Sequence, residues 1–230
     1  MLAEGIAELL RARSAERILD CACGTGLPAI DLRVRGFSVN CTDGDALMLQ
    51  QFRRNARVRG VSDDCSHLQW SELDSLAEQY DYVLCRGNSL IYADTWTNSN
   101  YPAAHPMGIE GHIRAIASAV APGGYLHIDA PRNSELAEAS YPEVFFRGER
   151  VRVYERVTAA GHLRRWEQHV IIGHEENYFV RYSSNLTSIQ LAVILRRNGF
   201  DHIEPLELPG ERPSYGVLIA QKLVTGSRTG

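Results

Sequence analysis

Apolar and polar positions along this chain switch repeatedly between a helical and an extended period. Leu2, Ile6, Leu9 and Leu10 share one helical face, so residues 2–13 predict an amphipathic helix. Arg17–Cys21 is a short strand-like run, Leu27–Arg35 returns to a helix, and Gly36 supplies its stop. Residues 37–43 alternate as a strand does, and Ala46–Arg59 reads as the next helix, with Asp45 and Asp43 competing as its N-cap. His67–Trp70 predicts a short third strand. The mostly apolar run opening at Asp81 and continuing through Cys85 predicts a central strand of a parallel sheet. Helix 109–120 then stops at the turn Ala121-Pro122-Gly123-Gly124, and a fifth strand with its exit follows over Tyr125–Asn133. Strands and helices taking turns in this way predict an α/β fold.

The rhythm breaks after residue 140. Val144–Thr158, Leu163–Gly173 and Asn177–Ser183 are alternating runs rich in Val, Ile, Tyr and Arg, with turns at Ala160-Gly161 and His174-Glu175. They predict antiparallel strands inserted over 140–185. Thr187 is a natural cap for helix 188–197, Asn198-Gly199-Phe200 ends it, and His202–Leu208 and Tyr215–Leu223 predict the last two strands before a loose tail.

The chemistry concentrates at Ile18-Leu19-Asp20-Cys21-Ala22-Cys23-Gly24-Thr25-Gly26-Leu27-Pro28. A strand feeding a glycine turn and a helix start offers free backbone N–H groups to a polar ligand. No third glycine follows Gly26 and no Gly-Lys-Ser/Thr occurs, so neither a dinucleotide fingerprint nor a phosphate loop is present. An acid at the strand end, Asp20, suits a nucleoside bearing a cationic amino-acid tail. Asp43, closing the second strand, suits two ribose hydroxyls, which a carboxylate accepts bidentately.

These residues resemble the first motif of class I S-adenosylmethionine-dependent methyltransferases, and Asp43-Gly-Asp-Ala-Leu-Met48-Leu49 resembles the second. The resemblance implies a Rossmann-like sheet, parallel with an antiparallel last strand, plus the small inserted antiparallel sheet, in one domain over 1–230. It implies S-adenosylmethionine as cofactor, held by Asp20, Ala22, Gly24, Gly26, Asp43 and Met48, with Gln69 and Trp70 against the adenine. Trp70 reads equally well as a core aromatic. Gly87-Asn88-Ser89 and Arg132-Asn133 resemble the glycine N-methyltransferase branch, including the glycine/sarcosine enzymes. There the backbone at Cys85, Arg86 and Gly87 would touch the methyl donor, Asn88 would align the substrate, and Arg132 would grip its carboxylate, because a guanidinium makes two parallel charge-assisted bonds. Against these stand a turn in which Asn88 bonds its own loop, and a surface ion pair of Arg132 with Glu135 or Glu138. The inserted sheet would cap the substrate, with Tyr154, Trp166, Tyr178, Arg181 and Tyr182 as candidate cap residues; the polar, aromatic segment 92–107 itself reads as a cleft wall or lid, with Tyr92, Trp96, Tyr101 and His105 as alternative candidates to enclose a small cation.

Bulk properties remove other classes. The chain has 230 residues and a net charge of −4, so it carries no basic footprint for nucleic acid. No apolar run is long enough to span a membrane, and the first residues do not begin a signal peptide. Five cysteines without C-x-x-C spacing read as reduced, packed thiols of a cytoplasmic protein, with no metal site. A small amine or amino acid is the expected partner, with self-association left open. About a dozen residues precede the first strand, whereas glycine N-methyltransferases carry an N-terminal arm. Closure therefore falls to a segment outside this sequence or to 92–107. No residue is assigned as general base. Two alternatives stay open: a methyltransferase for oxygen or for a larger natural product, and a non-catalytic module that binds the same nucleoside.

Overall fold

The computed structural model describes residues 2–93, 108–132, 137–140, 143–146, 148–211 and 214–224. Its main sheet has seven strands in the order β11-β12-β5-β4-β1-β2-β3. These are β1 (Ile18–Asp20), β2 (Val39–Asp43), β3 (Ser66–His67), β4 (Tyr80–Cys85), β5 (Val120–Pro131), β11 (Phe200–Leu206) and β12 (Tyr215–Lys222). The first five run parallel; β12 lies antiparallel between β5 and β11.

Strand alternation divides the core in two. Ile18, Tyr82, Leu84, Val39 and Cys41 face α1 (Leu2–Ala12), α2 (Ala29–Val34) and α3 (Ala46–Val58), where Ile6, Leu10, Leu49 and Phe52 meet them. Their neighbours Leu19, Val83, Cys85 and Ile128 face the opposite way, onto Ile113 and Ile116 of α4 (Gly108–Ala119) and Leu191 and Leu195 of α5 (Ser188–Arg197). A sheet covered on both faces leaves only its edges and strand ends for ligands, and the carboxyl ends of β1, β2, β4 and β5 share one rim.

The helix caps follow the sequence. Asp45 accepts from the N–H groups of Leu47 and Met48 at 2.8 and 3.3 Å, so it takes the N-cap of α3 and releases Asp43 for other work. Thr187 and Gln190 form a reciprocal capping box at α5.

Three local expectations are corrected. The third strand ends at His67, because the Glu72 carboxylate accepts from Gln69 N–H and turns Trp70–Ser75 into a 3₁₀ helix. Helix α2 begins at Ala29, with Pro28 outside it as N-cap. Helix α4 ends at Ala119, as the turn composition predicts, but residues 121–124 are not a separate turn before the fifth strand; they bulge within β5, whose register passes from Tyr80↔Val120 to Tyr82↔Tyr125.

The second sheet is antiparallel, in the order β10-β9-β8-β6, with β7 also on β8. It comprises β6 (Ala137–Ser140), β7 (Val144–Phe146), β8 (Glu149–Ala160), β9 (Leu163–Ile172) and β10 (Glu175–Ser184). The alternation had not indicated β6 or the break between β7 and β8. Register separates the expected cap residues: Tyr154 and Tyr178 flank His169 on one face with Tyr182, while Trp166 pairs with Arg181 on the other. No helix among the described residues is long and apolar enough to cross a membrane.

Gly26 holds φ +110°, and a Cβ there would lie 2.2 Å from Ile30 Cδ1 and 3.2 Å from Phe52 Cδ2. Ile30 and Phe52 are buried and cannot yield freely. Gly26→Ala is therefore expected to lower stability by about 2 kcal/mol, from backbone strain and overpacking together. A urea titration of the ligand-free protein checks this; an unchanged midpoint would contradict it.

Candidate functional site

A cavity of about 230 Å³ opens at the carboxyl ends of β1 and β2. Cys21, Ala22, Asp43 and Gly44 form its floor, Gln69, Trp70 and Ser71 one wall, and Ser89, Ala93 and His112 another. A larger open groove, about 600 Å³, runs beside Tyr154, His169 and Tyr178 on the second sheet. None of the motif residues reaches that groove, so the smaller cavity is the candidate site.

Each floor residue is fixed by a strand end. Asp43 spends one carboxylate oxygen on Gly24 N–H at 2.8 Å and the other on Asp45 N–H at 2.9 Å, tying β2 to the glycine turn. Both oxygens keep further lone pairs. Burial raises the Asp43 pKa against the help of those two bonds. Asp20, one residue below the lining, accepts from Ala22 N–H at 3.2 Å, while its Oδ2 is buried without a hydrogen-bond partner among the described residues. Burial pushes the Asp20 pKa up to about 7, with Asp43 adding to the rise and Arg86 opposing it.

The walls are equally specific. Trp70 donates from its indole nitrogen to the Cys21 carbonyl at 2.7 Å and meets His112 edge-on at 5.7 Å between ring centres. The two readings of Trp70 thus coincide: it packs on the core and also lines the cavity. Gln69 donates to Gly44 O at 3.1 Å across the mouth.

The residue set fits an adenosyl amino acid. A Cβ added at Gly24 would meet nothing within 4 Å, so that turn is open to close approach. The unpartnered Asp20 Oδ2 suits an ammonium, Asp43 a diol, and Trp70 a flat base.

Of the residues named from sequence, Ala22, Asp43, Gln69 and Trp70 line the cavity, and Asp20 and Gly24 are bonded to residues that do. Gly26 shapes the turn, and Met48 is held at the start of α3 by Asp45. Cys85 is buried in the core, its thiol pKa raised foremost by a hydrogen bond with Cys21 and then by burial. The Arg86 side chain turns away into a buried ion pair with Glu211. Gly87 and Asn88 bond through their N–H groups to Asp129. Arg132 is not brought to the cavity; its side chain is half exposed, 3.4 Å from Glu207 and 3.4 Å from Tyr215 O. Trp96, Tyr101, His105 and Asn133 lie outside the described residues.

Sequence reasoning missed Ser89, Ser71, His112 and Asp129. His112 left a usable signal, a polar residue among Ile109, Ile113 and Ile116 on the apolar face of α4. Asp129 left a weaker one, an acid closing an apolar strand as Asp20 does.

Residues 18–124 match the family described as a methyltransferase domain. The glycine N-methyltransferase of Rattus norvegicus is 35% identical over 129 residues, 53% of this chain and 42% of that protein. The glycine/sarcosine N-methyltransferase of Halorhodospira halochloris is 30% identical over 152 residues, 63% of this chain and 52% of that protein. The chain thus spans about half the length of the curated relatives it matches. The fold is similar to that of an S-adenosylmethionine-bound amino pentose methyltransferase from Micromonospora echinaspora, with a TM-score of 0.72 and 21% identity over 96% of this chain and 89% of that one.

A carboxylate whose pKa rises to about 7 takes up a proton as the pH falls through neutrality, and a cationic ligand tail requires it ionised. Affinity for S-adenosylhomocysteine is therefore expected to weaken by up to about tenfold per pH unit below 7 and to level off above it. Asp20→Asn should bind weakly at every pH. The same shift makes folding of the ligand-free protein less favourable as pH rises from 4 towards 7, since the native state holds the extra proton. Calorimetric titrations at pH 6, 7 and 8 test the binding trend; a pH-independent affinity would refute it.

Proposed function

We propose that the chain is a class I S-adenosylmethionine-dependent methyltransferase and that it methylates the nitrogen of a small amine of the glycine, sarcosine or dimethylglycine type. The observation that carries the reading is the juxtaposition, at one rim, of the cavity lined by Asp43 and Trp70 and the Gly87-Asn88-Ser89 turn, with Ser89 in the cavity wall.

When bound, S-adenosylmethionine supplies an electrophilic methyl on a sulfonium. The chain's residues then have to position and to exclude water. Asp43 accepts the ribose hydroxyls, Asp20 faces the ammonium, and Trp70 with Gln69 borders the adenine. Asn88 presents a buried side-chain oxygen with no hydrogen-bond partner among the described residues, an acceptor suited to an amine N–H. The acceptor enters as the free amine, its proton left to water, so that its lone pair faces the methyl.

Arg132 is assigned to the acceptor's carboxylate. Its contacts at 3.4 Å are long and exposed, and pairs of that kind contribute under about 1 kcal/mol, so a carboxylate can displace Glu207. The inserted sheet, with β10 against the 3₁₀ turn Ser89–Tyr92, would cap this side. A second reading, a larger amine or hydroxyl acceptor without a carboxylate, is favoured by one fact: Arg132 stands outside the cavity lining.

A methyl-transfer screen over glycine, sarcosine, dimethylglycine, larger amino acids and amino sugars discriminates the readings. With an amino-acid acceptor, Arg132→Ala is expected to raise KM at least about tenfold with kcat nearly unchanged, the signature of a lost charge-assisted binding contact. Asp43→Ala should instead weaken S-adenosylhomocysteine binding and leave acceptor preference alone. An unchanged KM in Arg132→Ala would sink the carboxylate assignment, and turnover only with amino sugars would favour the second reading.

A further inference from the structure

We propose that Asp129, at the carboxyl end of β5, is the positioning residue that sets where Gly87 and Asn88 stand beside the reacting groups. The inference rests on the reading above, in which this turn meets donor and acceptor, and extends it to a residue that does not itself touch them.

The geometry is specific. Asp129 is fully buried, and its two carboxylate oxygens accept from consecutive amides, Gly87 N–H at 2.9 Å and Asn88 N–H at 2.6 Å. Both donors sit in the left-handed region, Gly87 at φ +83° and Asn88 at φ +57°. Glycine adopts this freely; asparagine does so at a cost of order 1 kcal/mol, so an outside contact has to hold the pair. The Asn88 side chain does not supply it, since it makes no cap bond. Ser89 Oγ closes the turn onto Arg86 O at 2.7 Å, but it reaches neither amide. The carboxylate is therefore the clamp, and a charged acceptor on two N–H groups is roughly twice as strong as a neutral one.

The surroundings keep that clamp charged at neutral pH. Arg86, itself paired with Glu211, is the nearby cation; Cys85 at the end of β4 contributes a neutral thiol, and His127 on β5 is held neutral by burial, bonded to Tyr82. Burial pushes the Asp129 pKa up to about 6, with Arg86 and the two amides opposing the rise and Glu211 adding to it. An asparagine here keeps one acceptor and turns an N–H₂ donor towards an N–H donor.

The test uses the whole chain with an acceptor found in the screen. Asp129→Asn is expected to bind S-adenosylhomocysteine within about threefold of the parent, to lose kcat by at least about 30-fold, and to lose the acidic limb of kcat/KM near pH 6. Combined with Asn88→Ala, the kcat losses should fail to multiply, because both act on one turn. A purely structural role predicts instead a lower melting temperature, weaker nucleoside binding, multiplicative losses and an unchanged acidic limb, and that pattern overturns the proposal. Amide exchange gives a readout independent of turnover: Gly87 and Asn88 should exchange at least about tenfold faster in Asp129→Asn, with the amides of β1 unaffected. Should no amine be methylated although S-adenosylhomocysteine binds, the functional reading fails by itself, and unchanged exchange at Gly87 and Asn88 would remove the positioning role as well.

Discussion

Three carboxylates at the ends of three parallel strands hold this rim together. Asp20 of β1, Asp43 of β2 and Asp129 of β5 each bend back to accept backbone N–H groups from a turn: Ala22, Gly24 with Asp45, and Gly87 with Asn88. Turns at strand ends expose amides that the sheet cannot satisfy, and water is the usual partner. Here the partners are anionic side chains supplied by the strands. Each turn is thereby tied to the sheet by a charge-assisted hydrogen bond.

Such an arrangement carries an electrostatic cost. Burial raises the pKa of all three acids, and the nearby Asp43 raises that of Asp20 further. The compensating charge is Arg86, which favours the ionised form of both Asp20 and Asp129 while Glu211 fixes its position. A buried ion pair of this kind contributes little to stability, because desolvation offsets most of the attraction. Its value lies in the field it supplies: Arg86 favours the charged form of the acids at β1 and β5 without itself lining the cavity. That leaves the site short of positive charge, the condition a sulfonium nucleoside with an ammonium tail relieves.

The donor half of this architecture was legible in the sequence because it is local. Asp20, Gly24 and Asp43 lie within one strand-turn-helix-strand unit, and residue type with spacing sufficed to place them. Asp45 could be separated from Asp43 once the helix start was located, since only one acid can be the N-cap. The misses have physical causes. Gln69 and Trp70 look like strand residues, yet Glu72 reaches back to Gln69 N–H and the Trp70 indole bonds the Cys21 carbonyl just past β1. Pro122-Gly123-Gly124 has turn composition, but β4 accommodates it as a bulge. Arg132 has the right chemistry for a carboxylate, while sequence carries no information on whether its side chain points to the rim or to Glu207.

The part of the rim around Asp129 is illegible for the complementary reason. Asp129 meets residues 42 and 41 positions away, and Arg86 meets Glu211 across 125. No local pattern announces such contacts. The span that matches the methyltransferase family, 18–124, contains the whole donor cavity and excludes both Asp129 and Glu211. Asn88 lies inside the matched span, but its backbone conformation is held from outside it. The turn after β4 is thus held by long-range contacts, and one buried acid on the neighbouring strand ties it to β5.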